Sequence, residues 1–127
     1  MSTTVSMSNN ASARGHKAEL ALVAKFREQG YEVRRSAASK FPDLIVWDND
    51  SFNLVEVKLR NNPVGLSEAK SLFKSSASKV IPPPQGHIVL ALRHKRAWQV
   101  WSFEYVEPPF DKGSLIERPE IFPWLVK

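Results

Sequence analysis

No cysteine occurs among the 127 residues. That absence excludes disulfides, zinc knuckles and thiol nucleophiles together, and it suits a cytosolic protein. Long apolar runs are missing too: nothing approaches the roughly 20 apolar residues that a membrane-spanning helix needs. Histidine is scarce, and His16, His87 and His94 are not paired at metal-ligand spacing. There is no phosphate-binding Walker loop, no dinucleotide fingerprint and no serine-hydrolase elbow. Negative charge is the minority, with 13 Asp and Glu against 18 Lys and Arg, a net charge of +5 and a pI near 9.7. Such a balance favours an anionic partner, most simply nucleic acid. A basic soluble protein without such a partner is the alternative.

What is present fits one domain, large enough for a real core but not for two. Residues 1–13 are rich in Ser, Thr and Asn with no apolar stretch. They read as a disordered tail and not as a signal peptide, leaving residues 14–127 as the folded domain. Arg14 to Gln29 reads as a helix with Leu22, Val23 and Phe26 as its apolar stripe and Gly30 as its stop. Tyr31 to Arg35 alternates as a first strand. Two apolar runs, Phe41 to Trp47 and Phe52 to Leu59, flank the turn-forming stretch Asp48-Asn49-Asp50-Ser51 and predict a hairpin. Ser67 can cap a second helix running to about Lys79, which the Pro82-Pro83-Pro84 segment breaks. His87 to Leu92 and Ala97 to Phe103 read as two further strands, and residues 104–127 as an irregular C-terminal extension. The order helix, three strands, helix, two strands describes an α/β domain with a mixed central sheet flanked by helices.

The chemistry concentrates in three carboxylates and a lysine. A hairpin centred on Asn49-Asp50 pairs Trp47 with Phe52, Ile45 with Leu54 and Asp43 with Glu56. Directly opposed residues have Cβ atoms roughly 4.5–5.5 Å apart, and like charges there are destabilising. Two acids in that position make sense when a cation sits between them. Period 2 along the second strand projects Lys58 beside Glu56. Glu19 lies three, four and seven residues before the apolar helix positions, so it shares their face. A carboxylate there is costly unless satisfied, although a place near the helix start, where the dipole favours an acid, is the simpler reading. Hard oxygen ligands without cysteine suit Mg²⁺ or Mn²⁺. Asp43 and Glu56 would be direct ligands with the Val57 carbonyl as a third, and Glu19 would hold an ion-bound water or a second ion. Lys58 would orient or help deprotonate an attacking water, or stabilise charge on a phosphorane-like transition state. Singly, Asp43 reads as a turn residue and Glu56 with Lys58 as a solvated ion pair worth little. Together they point to a metal site.

Pro42-Asp43 followed by Glu56-Val57-Lys58 resembles the PD-(D/E)xK nuclease signature. Arg14-Gly15 before Glu19, and Arg35-Ser36-Ala37-Ala38-Ser39-Lys40 before the Pro-Asp, sharpen it. Over Arg14 to Phe103 the chain resembles the archaeal-type Holliday junction resolvases. The resemblance implies a restriction-endonuclease-like core and a Mg²⁺-dependent endonuclease acting on four-way DNA junctions as a homodimer, each subunit nicking one of two opposed strands. It implies Glu19, Asp43, Glu56 and Lys58 as catalytic residues, Ser39 beside the scissile phosphate, and Arg14 and Arg35 on DNA. Lys17, Lys40 and Arg60 complete a phosphate-tracking surface that positions without reading bases. Arg34 and Arg35 are adjacent in a strand and point to opposite faces, so one of them meets DNA. The expected setting is the cytoplasm, at the nucleoid or in a host cell for a viral chain. Rival readings are a nuclease of the same superfamily with restriction-like, fork or flap specificity, and a non-catalytic DNA-binding module. The Pro triplet and the tail after Phe103 depart from the family pattern.

Overall fold

The computed structural model describes residues 6–36, 41–73, 85–105 and 113–126. A six-stranded sheet runs β1 (Glu32–Arg35), β2 (Leu44–Trp47), β3 (Phe52–Arg60), β4 (Ile88–His94), β5 (Ala97–Tyr105) and β6 (Gly113–Glu117), with strands adjacent in space in the order they occur in sequence. Only β3 and β4 pair in parallel; every other neighbouring pair is antiparallel. A parallel pair requires a crossover, and the segment between these two strands carries α2 (Leu66–Leu72). Helix α1 (Ser6–Glu28) and a short C-terminal helix α3 (Pro123–Val126) are the other α-helices among the described residues.

Strand alternation divides the core between two faces. On one face Leu44, Val46, Val55, Val89, Ala91, Trp98 and Val100 pack with Leu22, Val23 and Phe26 of α1 and with Phe122 and Leu125. On the other, Ile88, Leu90, Leu92, Trp101 and Leu115 pack with Val64 and with Ala69 and Phe73 of the α2 region. The sheet is therefore the middle layer of a sandwich, as its double-sided apolar strands require. Asp48 sets the β2–β3 turn: its Oδ1 accepts from the Asp50 amide at 2.8 Å and the Ser51 amide at 2.7 Å. Those donors hold its carboxyl below the usual range.

Four sequence expectations need correction. Helix α1 starts at Ser6, inside the segment read as a tail and well before Arg14; extending a formed helix costs little per residue once its packed half is nucleated. Helix α2 starts from Gly65, which is extended and makes no side-chain cap, so Ser67 is not the capping residue. The helix ends at Leu72 because Phe73 turns extended; the expected continuation to Lys79 and the proline segment fall mostly outside the described residues. Strands β4 and β5 take in Arg93, His94, Glu104 and Tyr105, leaving a two-residue turn with Lys95 at φ 60°. The C-terminal extension is not irregular. Gly113–Glu117 pairs antiparallel with β5, a 3₁₀ turn spans Pro119–Ile121, and Phe122 and Trp124 meet the Phe26 ring edge-on at 4.9 and 5.1 Å. The edge of β5 supplies a hydrogen-bonding template that a five-residue segment does not announce by its own periodicity.

Candidate active site

The β2–β3 hairpin has the register that the turn residues predict: Trp47 opposes Phe52, Ile45 opposes Leu54 and Leu44 opposes Val55. The next position outward places Asp43 against Glu56. Asp43 is tied there by its own side chain, whose Oδ2 accepts from the Val57 amide at 2.8 Å. Its carbonyl accepts from the Ser36 amide at 2.9 Å, which brings the end of β1 to the same place. Glu56 is fully buried between strands, opposite Leu90 of β4. Lys58, two residues on, holds its Nζ 3.6 Å from Glu56 Oε2 while staying 27% exposed. The arrangement is an ion pair with one member inside the protein and the other reaching the surface.

Burying a carboxylate beside a second carboxylate is unfavourable for the apoprotein. Lys58 offsets one negative charge, not two. Both acids offer only oxygen, and both stand at the open end of the β2–β3 hairpin, where β2 begins and β3 continues alongside β4. The residues present therefore fit a hard divalent cation bound through Asp43 and Glu56.

Glu19 is not brought to this pair. It sits on α1, which packs on the sheet face lined by Leu44 and Val55. Glu56 and Lys58 have the opposite strand parity, shared with Leu54, and their partners Leu90 and Leu92 line the other face. Among the described residues no three His, Asp or Glu side chains come close enough to hold a metal ion together. Nor does the helix dipole explain Glu19, because the helix starts at Ser6 and Glu19 lies well inside it. Its partner is Arg35, whose Nε donates to Glu19 Oε1 at 2.9 Å.

The basic residues divide in the same way. Arg14, His16 and Lys17 are exposed on α1, and Arg35 lies on that side at the end of β1. Arg60 is on the Glu56 face, 3.5 Å from Glu68 of α2. Arg34, exposed and opposite Ile45, shares that face, so two faces each carry one of the adjacent arginines. The face of Arg34 was readable once the hairpin register was known, since Ile45 opposes Leu54. Ser39 and Lys40 lie outside the described residues. A residue that the sequence did not single out is Gln99 of β5. It grips the chain after β3 by accepting from the Val64 amide at 2.8 Å and donating to the Val64 carbonyl at 3.1 Å.

The profile of the family described as archaeal Holliday junction resolvase (Hjc) matches residues 10–118. No curated protein matches the chain. Among solved structures, Hjc of Archaeoglobus fulgidus, a Holliday junction resolvase from an archaeal hyperthermophile, is similar with a TM-score of 0.52 and 20% identity. The match covers 90% of this chain and 91% of that one. At that identity the likeness bears on the fold.

Proposed function

The chain belongs to the archaeal Holliday junction resolvase family and is an endonuclease, and from that premise we propose that it resolves four-way DNA junctions in a Mg²⁺-dependent reaction, by paired symmetric nicks made by a homodimer. The observation that carries this reading is the convergence of Asp43, Glu56 and Lys58 at one end of the hairpin, with Glu56 buried and Lys58 beside it. Asp43 and Glu56 would hold the ion, and Mn²⁺ would substitute for Mg²⁺. When bound, such an ion supplies Lewis-acid stabilisation of a phosphate and a more acidic water.

The chain's own groups do the rest. The Val57 amide fixes the Asp43 carboxylate, so that its second oxygen is presented with little freedom. Lys58 reaches the surface with its amine against Glu56, where it can orient the attacking water and stabilise charge on the phosphate. Direct attack by water leaves no covalent enzyme intermediate. Arg14, Lys17, Arg35, Lys40 and Arg60 would follow the phosphate backbone, and recognition would be of branched shape and not of sequence. Ser39 would stand near the scissile phosphate. A cytoplasmic place of action accords with this substrate, and among the described residues no helix is long and apolar enough to cross a membrane.

The test is a pair of isosteric variants. Asp43→Asn keeps an oxygen for the Val57 amide, and Glu56→Gln keeps the shape of the buried side chain. Each is expected to lose cleavage by a factor of about a hundred or more while junction binding in Ca²⁺ survives, because electrostatic stabilisation of the transition state goes and phosphate contacts stay. Strong residual cleavage by either variant would contradict the assignment.

A further inference from the structure

The closed end of the β2–β3 hairpin carries a pocket that the acid pair does not use. Trp47 and Phe52 oppose each other across the two strands, and their rings stack with 6.1 Å between centroids and 28° between planes. Phe52 is left 42% exposed. A single exposed aromatic needs no explanation, but these two wall an open pocket of about 150 Å³, closed by the turn residues 48–51 and by Gln85. Small-molecule sites run to roughly 300–1,000 Å³, so this pocket suits one side chain and not a cofactor.

The charge around it runs against that of the whole protein. The chain carries a net charge of +5, yet Trp47 to Phe52 holds two acids and no base. Asp48 spends Oδ1 on the turn, accepting from the Asp50 and Ser51 amides, whereas Asp50 is exposed and serves the turn only through its amide. Glu32 of β1 opposes Trp47 directly and is exposed, so it adds a third carboxylate beside the rings, at the roughly 4.5–5.5 Å Cβ spacing of opposed positions. Neither Asp50 nor Glu32 has an ion-pair partner among the described residues. The arginine of that face, Arg34, stands one row further in, opposite Ile45. An aromatic pair ringed by carboxylates attracts a cation, through the ring faces and the charges together. It repels a nucleic acid strand, because a base stacked on the pair brings its own phosphates against three acids.

We propose that this pocket docks a cationic side chain, arginine above all, from a basic segment of a partner protein, with Trp47 and Phe52 as the platform and Asp50 and Glu32 as the counter-charges. Arginine fits better than lysine because its planar guanidinium stacks on rings and pairs with carboxylates at its edge. The pocket lies four residues along the strand from Asp43, about 13 Å at strand rise, so a partner side chain held there leaves the acid pair uncovered. The inference goes beyond the nuclease reading and does not depend on it.

The experiment is heteronuclear NMR on the full chain with a short glycine–arginine repeat peptide as probe. A glycine–citrulline repeat, which keeps the shape and loses the charge, is the control. Trp47→Phe identifies the Trp47 indole signal. Saturable movement of that signal and of the Asp50 and Ser51 amides is expected with the arginine peptide, about tenfold tighter than with the citrulline peptide and weakening as salt rises. Phe52→Ala should weaken binding about threefold to thirtyfold, and Asp50→Asn and Glu32→Gln about twofold to fivefold each. Should Phe52→Ala disturb the hairpin, Phe52→Leu keeps an apolar bulk, removes the ring face and serves in its place. Equal binding of the two peptides, shifts scattered over the surface without saturation, or full affinity in the Phe52 variant would overturn the proposal. Junction affinity of the same variants should stay within about twofold of the parent. A Phe52 variant that keeps peptide binding and loses junction binding would also overturn it, making the pair a stacking platform for bases. If the parent binds no junction at all, the nuclease reading fails and the peptide titrations still decide this one.

Discussion

Replacing Glu56 with Gln is expected to make the metal-free protein more stable while making it inactive. The carboxylate is fully buried, and withdrawing such an ion from water costs several kcal/mol even after relaxation. Its attraction to Lys58, with Nζ 3.6 Å from Oε2, returns about 4–5 kcal/mol at an effective dielectric of about 20. Repulsion from Asp43 at the directly opposed strand position removes about 3 kcal/mol of that on the same scale. The remainder is a net cost of about 2 kcal/mol for carrying the charge, which Gln avoids at nearly constant volume. Lys58 keeps contact with water and does not become a stranded cation. Melting followed by circular dichroism in EDTA should show the variant about 6–10 °C above the parent for a chain of this size. Saturating Mg²⁺ should then raise the parent selectively, by about 2.7 kcal/mol at a hundred times its Kd. A variant that melts below the parent in EDTA, or an equal Mg²⁺ shift in both proteins, would refute the reasoning.

Contacts away from the acids give three further outcomes. Gln99→Leu strands the buried Val64 amide and carbonyl, so it should cost about 2–4 kcal/mol in urea unfolding and speed hydrogen exchange at Val64; unchanged exchange would show the clamp to be idle. Phe122→Ala empties the site where that ring meets Phe26 and Tyr31 and should cost about 3–5 kcal/mol, as for other buried aromatics, which calorimetry can check. Acid sensitivity should have two sources besides the lowered Asp48 carboxyl. Burial pushes the His87 imidazole below 6.5, so the unfolded chain takes up that proton first and stability should fall as pH drops below 6.5, a slope that His87→Gln removes. The Arg118 guanidinium, hydrogen-bonded to Glu104 at 2.7 and 2.9 Å, holds the Glu104 carboxyl below 4.5. Its contribution is present above 4.5 and lost as pH falls through the lowered value, so Arg118→Ala should flatten the acid limb of a urea-midpoint profile.

The hairpin that carries Asp43 and Glu56 was legible because it is local. Asp48 and Ser51 announce the turn, the turn centre determines the register, and the register alone sets Asp43 against Glu56. The place of Lys58 comes from period 2. Glu19 was legible as a costly acid on a core-directed stripe but not in its partner, because a helix stripe records burial and not which sheet face the helix will cover. That depends on the packing of Phe26 against Phe122 and Trp124 nearly a hundred residues away. The same long-range contact explains why the C-terminal segment gave no strand signal: Gly113–Glu117 is held by the edge of β5 and, through the chain beyond it, by the anchorage of Phe122 and Trp124 on Phe26. The start of helix α2 was expected within a residue but its cap was not, since Gly65 owes its position to Gln99 holding Val64, a side-chain contact that no local pattern encodes.

The central claim is tested most directly by incubating the protein with a synthetic four-way junction in Mg²⁺, beside a linear duplex of matched sequence and an EDTA control. Paired symmetric nicks confined to the junction, absent in EDTA, are the predicted result. Equal cutting of the linear duplex, or tight junction binding with no cutting in either Mg²⁺ or Mn²⁺, would contradict it.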